Sequence, residues 1–317
     1  MSQGYEHHSL YKVAYENFWN GFDPHNNFLS RLLKLTDADL VVESHEDLDA
    51  IIISSHFKPT QSPLKQLNLA IKHFLTQTFR SEDQKNQEGN KAIALPRRIF
   101  YTGENHRVPQ SERFSISHDI DDFGHRNIYY PYLFDHLLMA KLEEKDHIFG
   151  SKIKYEYLYE RRTLKIMPEK FACIFFGNDV PIRRRLIDEM GNYGEVELFG
   201  NISGRYLDDR STLMNKFKYV LCPENDYYPG YVTEKIIHAY AMGAIPIYWG
   251  GLTKHQGVNE DSILTIDPSQ SLKTQIARIA KLDKNSYKEI FEQPLMLHEP
   301  NWQAIVGKIL IWLDTLK

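Results

Sequence analysis

Residues 217–250, FKYVLCPENDYYPGYVTEKIIHAYAMGAIPIYWG, read as a strand, a polar aromatic loop, a helix and a second strand. The apolar run 219–222 predicts the first strand, and 223–231 is the loop. Residues 232–242 carry the spacing of an amphipathic helix, Gly243 marks a turn, and 244–249 is the second strand. Such a βαβ unit binds its ligands beyond the carboxyl ends of the strands. Glu224, Asn225, Tyr231, Thr233, Glu234 and Lys235 fall there in the chain. Unpaired amides at a helix start suit an anion such as a diphosphate, and Lys235 adds a full charge.

Outward from this unit the alternation continues. Before it come strands at 171–176 and 196–199, a helix at 181–191 with proline near its start, and a helix at 209–217. After it come a strand at 263–266 and helices at 272–282, 286–291 and 301–316. Trp302, Ile305, Val306, Ile309, Leu310 and Leu313 share one face of the last. The first half repeats the pattern more roughly. Its strands are 12–15, 40–43, 50–54, 98–101 and 114–116, its helices 28–35, 64–79 and 132–142, and 80–91 is a polar loop. Alternating strands and helices predict an α/β protein of two doubly wound, mostly parallel domains facing across a cleft. The expected division is 1–160, 161–300 and a terminal helix, 301–317, packing back on the first domain.

Composition excludes several classes. With 42% hydrophobic and 25% charged residues the chain is that of a soluble globular protein. A net charge of −4 supplies no basic field for nucleic acid, so any phosphate site must be local. Cys173 and Cys222 sit in apolar strand-like runs and make no disulfide framework, which points to a reducing compartment. No signal-peptide core and no apolar run of about 18 residues is present, so a cytoplasmic protein without a spanning helix is expected.

Three sets of residues could carry chemistry. Arg183 and Lys235 each lie in the first turn of a helix that follows a strand, where a planar fork and a compact charge complement phosphate oxygens. Glu104 follows a strand in a glycine turn, where a carboxylate can shed solvent and serve as general base or simply cap its own turn. The pairs Asp37/Asp39, Asp47/Asp49 and Asp119/Asp121 could hold a divalent metal, but none follows a strand of matching context. No HExxH, CxxC, GxGxxG or GxxxxGK[ST] occurs among the residues, the 14 histidines included.

The run YVLCPENDYYPGYVTEKIIHAYAMGAIPIYWG resembles the donor-binding motif of the α-1,3/4-fucosyltransferases, glycosyltransferase family 10, particularly the bacterial members. FYTGEN at 100–105 is similar to the family segment with the proposed catalytic glutamate, and FACIFFGNDVPIR at 171–183 to that with the phosphate-binding arginine. Weaker similarity at 17–24 and 126–131 extends the resemblance over most of the chain. Pro223 departs from it, standing where relatives commonly have Phe.

The resemblance implies a GT-B fold with GDP-fucose held mainly by the C-terminal domain, and the N-terminal domain on the acceptor side. It implies inversion at the anomeric carbon without a bound metal or other cofactor. Glu104 would then be the general base, and Arg183 and Lys235 would neutralise the diphosphate. Asn225, Tyr231 and Glu234 would hold the ribose, phosphates or fucose. The expected acceptor is a GlcNAc-type unit of a bacterial surface oligosaccharide or glycolipid such as lipopolysaccharide, joined in α-1,3 linkage. Membrane contact would be at most peripheral, at the inner face of the plasma membrane. Transfer of another GDP-linked sugar, and a non-catalytic sugar-nucleotide-binding module, stay open as alternatives.

Overall fold

The computed structural model describes residues 10–42, 48–55, 97–201 and 203–316. The first of two sheets comprises β1 (Leu10–Glu16), β2 (Asp39–Val42), β3 (Ala50–Ser54), β4 (Arg97–Tyr101), β5 (Phe114–Ser117) and β6 (Asn127–Tyr129), in the order β2-β1-β3-β4-β5-β6. The second comprises β7 (Lys170–Phe175), β8 (Val196–Phe199), β9 (Phe217–Pro223), β10 (Ile245–Trp249) and β11 (Leu264–Thr265), in the order β11-β10-β9-β7-β8. All these strand pairs are parallel. The β-branched run of β3 is flanked by strands on both sides and buried, as its composition predicts. Strand order reverses between β7 and β9, so the crossovers leaving them diverge and open a crevice at their carboxyl ends.

Helices α1 (Phe28–Leu33), α2 (Tyr132–Lys141), α3 (Tyr155–Tyr159), α4 (Pro181–Gly191), α5 (Lys235–Ala241), α6 (Leu272–Ala280), α7 (Lys284–Phe291) and α8 (Trp302–Leu316) cover the sheets. Leu186 of α4, Ile276 of α6 and Tyr287 of α7 pack with Ile174, Leu221 and Ile247 in one apolar cluster. The other cluster joins the two halves: Ile236 and Tyr240 of α5 share it with Leu137 of α2, Ile116 and Ile128. Trp302, Ile305, Ile309 and Leu313 of α8 belong to that cluster too. Trp312 meets Phe114 with ring centroids 4.9 Å apart, and the Tyr11 hydroxyl donates to Asp314 at 2.8 Å. The last helix therefore lies on the first domain.

Some local expectations fail for identifiable reasons. The helix expected at 209–217 is a single 3-10 turn, Arg210–Leu213. It ends at Met214, whose ψ of 135° leaves helical geometry; Asn215 follows at φ 58° with its N–H donating to the Met242 carbonyl at 2.8 Å, which turns the chain into β9. The helix expected from 232 begins at Lys235: the Val232 carbonyl, which would accept the first helical hydrogen bond, accepts from the Leu133 N–H at 3.1 Å instead. It is also not amphipathic, since Ile236 through Ala241 are all buried. β6 and α3 went unanticipated, being too short for periodicity to register. The helix expected at 64–79 and the loop at 80–91 lie outside the described residues. Among those described, no helix is long and apolar enough to cross a membrane.

Candidate functional site: a cleft at the strand ends

A cleft of about 410 Å³ opens where the carboxyl ends of the two sheets face each other. Glu104 enters it from the turn after β4, Arg183 from the first turn of α4, and Asn225, Tyr231, Glu234 and Lys235 from the crossover after β9; all six line it. A larger groove of about 900 Å³ lies beside residues 161–170 and 214–216, at the amino ends of β7 and β9, away from these groups.

Arg183 is 3% exposed and turned inward. Its guanidinium donates to the Asn178 carbonyl and, at 2.8 Å, to Asn225 Oδ1. It thereby ties the crossover after β7 to the one after β9 at the point where strand order reverses. Burial lowers its pKa, opposed by the charges of Glu224 and neighbouring acids. Lys235 Nζ donates to Glu224 Oε2 and to Thr233 Oγ1, each at 2.7 Å. Burial works against its charge, but Glu224 and Glu234 outweigh it and raise the pKa.

Glu224 is not a ligand group, contrary to its apparent place in the loop. It is 0% exposed and spent on the Thr233 N–H, the Thr233 hydroxyl and Lys235. Burial pushes its carboxyl up, and Lys235 partly offsets this. Its role is to hold Lys235 at the cleft wall. Glu234 lines the cleft directly. Burial would raise its pKa, but the charges of Lys235, His136, His238 and Arg210 hold it down at about 2.

Tyr231 is 1% exposed, with its ring 5.1 Å from that of His118, so only an edge reaches the cleft wall. Tyr228 anchors the loop: its hydroxyl donates to Asp119 Oδ1 at 2.6 Å, and Arg107 stacks 3.4 Å over its ring. That contact occupies one acid of the Asp119/Asp121 pair, and Asp121 caps the Phe123 N–H at 2.8 Å. Among the described residues, no member of the Asp-x-Asp pairs lines the cleft; Asp47 lies outside them.

Glu104 is exposed, so of the two readings open from the sequence the protein alone does not provide the one in which the carboxylate sheds its solvent. Its carbonyl accepts from Thr102 Oγ1 at 2.9 Å and from the His106 N–H at 2.7 Å, which fixes the turn. Gly103 makes the turn's approach possible: a Cβ there would stand 3.0 Å from both Tyr101 Oη and Tyr132 Cδ2. Tyr132 and Arg210 also line the cleft and were not anticipated. Behind Arg210 lies a buried trio, with His136 Nδ1 at 2.6 Å and His238 Nε2 at 2.9 Å from Asp146 Oδ2. No spacing in the sequence links positions 136, 146 and 238.

Residues 169–293 match the model of glycosyltransferase family 10 (fucosyltransferase), C-terminal part. The chain is 29% identical over 227 residues to alpha-(1,3)-fucosyltransferase FucT of Helicobacter pylori, covering 63% of this chain and 47% of that protein. It is 24% identical over 124 residues to human 4-galactosyl-N-acetylglucosaminide 3-alpha-L-fucosyltransferase 9, covering 37% of this chain and 34% of that protein. The chain thus spans less than half the length of these curated relatives. A crystal structure of an alpha1,3-fucosyltransferase with GDP-fucose superposes with TM-score 0.70 at 20% identity, covering 99% of this chain and 93% of that one. The fold is accordingly GT-B.

Proposed function

Through residues 169–293 the chain belongs to glycosyltransferase family 10, and from that premise we propose that it transfers L-fucose from GDP-fucose with inversion at the anomeric carbon. The observation that carries the reading is the convergence of Glu104, from one sheet, with Arg183 and Lys235, from the other, on one cleft. Loss of GDP breaks the bond from the anomeric carbon to the β-phosphate oxygen and builds negative charge on that oxygen. Arg183 and Lys235, fixed beforehand by Asn225 and Glu224, stabilise the charge without reorganising. Glu104, facing them, takes the proton of the attacking acceptor hydroxyl as the new bond forms, and a single displacement inverts the centre. Because Glu104 is exposed, a bound acceptor is what would strip its solvent.

The proposed acceptor is a GlcNAc-type unit of a surface glycan, joined in α-1,3 linkage, and the proposed setting is the cytoplasm or the inner membrane face. Two cations on the leaving group take the place of a metal, so the reaction is proposed to be metal-independent. The test is GDP release with a set of GDP-sugars against GlcNAc, LacNAc and type I acceptors, with and without EDTA. Fucose transfer that survives EDTA is expected, and Glu104→Gln should lower kcat by about 10²–10⁴ while GDP affinity holds. Preference for another GDP-sugar, or a divalent-metal requirement, would overturn the corresponding part.

A further inference from the structure

We propose that Arg210 is a third cation for the donor diphosphate, aimed into the cleft by His238 and the Asp146–His136 pair behind it; this rests on the donor reading above. Arg210 lines the same cleft as Arg183 and Lys235, yet comes from a different connection, the turn leading into β9. Its backbone is fixed by an N–H donated to the Phe149 carbonyl at 2.7 Å, and its guanidinium stacks 4.4 Å over the Phe175 ring. Among the described residues the guanidinium makes one side-chain hydrogen bond, from NH1 to His238 Nδ1 at 3.0 Å.

That bond determines the rest of the chain of contacts. A guanidinium can only donate, so His238 Nδ1 presents its lone pair, and the ring proton sits on Nε2. Nε2–H then donates to Asp146 Oδ2 at 2.9 Å. Asp146 is held in turn by His136 Nδ1 at 2.6 Å and by the N–H groups of Ile148 and Phe149 at 2.9 and 2.8 Å. Burial keeps His238 neutral, its pKa down at about 4, as the acceptor role demands. The same tautomer argues against a metal ion among His136, Asp146 and His238, which lie close enough to bind one. Metal on Nε2 with Arg210 on Nδ1 would require an imidazolate. Arg210 is thus a cation pointed by a neutral imidazole; among the described residues its guanidinium makes no ion pair with a carboxylate, and the acids act on it only through their charges. Glu234, on the same cleft wall, is the acid whose charge acts most strongly on it.

Equilibrium titration with GDP and with guanosine separates phosphate recognition from general damage. Arg210→Gln should weaken GDP at least about tenfold, the size of one charge-assisted contact, and leave guanosine unchanged. Arg210→Lys should restore most of the loss. His238→Asn keeps an acceptor near the Nδ1 position and should bind GDP nearly as the parent does. His238→Gln keeps only the contact to Asp146 and should weaken GDP while sparing guanosine. Arg183→Ala and Lys235→Ala serve as references. If they change the GDP-to-guanosine ratio and Arg210→Gln does not, the assignment of Arg210 is wrong and the donor reading stands. A parent protein that does not bind GDP overturns the donor reading, and Arg210's role with it.

Discussion

Glu224 shows how far residue-level reading reaches. Its place directly after an apolar strand marks it as a site residue, but only the fold reveals that it faces inward and serves Lys235. Arg183, Asn225, Glu234 and Lys235 were legible because strand ends and helix starts bring side chains to one crevice in any βαβ sheet. Arg210 was not, since one arginine in a run mistaken for helix carries no positional signal. The Glu224–Lys235 pair is buried on the acid side and mostly covered on the lysine side, so replacing the acid leaves the ammonium without its bonded counter-charge and with Glu234 alone to offset it. Glu224→Gln should therefore lower unfolding stability by about 3 kcal/mol in urea titration and weaken GDP binding. Stability and GDP affinity equal to those of the parent would show that Lys235 holds its place without the acid.

At the scale of elements, the loop after β9 is gripped from the opposite domain. Arg107 bonds Asp226 at 3.2 Å, stacks on Tyr228 and lies 2.9 Å from His118 Nε2, so the turn bearing Glu104 and the donor loop meet through one side chain. Gly251 permits the close approach beneath: its carbonyl accepts from Gly230, and any Cβ there would fall 1.5 Å from the Tyr228 carbonyl oxygen. Arg107 and Asp226 are both more than a third exposed, so the ion pair itself adds little to global stability. Arg107→Ala should shift the urea midpoint by less than about 1 kcal/mol equivalent, yet raise the donor KM and speed amide exchange across the donor loop. Unchanged exchange in that loop would mean that Tyr228 and Asp119 hold it alone. Strands were legible where β-branched or apolar residues run together, as in the Ala50–Ile53 stretch of β3. The helix expected at 209–217 does not continue because Met214 takes an extended ψ of 135° and the left-handed Asn215 after it is fixed by a contact to residue 242; local propensity contains no trace of that contact.

The whole molecule is bound together by α8 and by the apolar cluster between the halves, and His118, His136 and His238 are buried as well. Burial holds His118 and His238 at about 4, against the ordinary 6.5, while His136 is raised because Asp146 outweighs its burial. Around His118 the charged neighbours are Asp119, which raises it, and Arg107 and His106, which lower it. Between pH 6.5 and 4 the unfolded chain takes up protons at positions 118 and 238 that the folded chain refuses, so stability falls as pH drops through that window. His136 acts oppositely: its folded pKa is raised, so its contribution is complete below 6.5 and is lost as pH climbs through the folded value. Stability should accordingly peak near pH 6.5, with urea midpoints declining on both sides. His118→Gln preserves an acceptor for Arg107 while removing a titrating group, so it should flatten the acid limb and leave the alkaline limb unchanged. An acid limb as steep as the parent's would assign the loss above pH 4.5 to His238, and that below it to Asp146 and Glu234, whose depressed carboxyls release their stabilisation there.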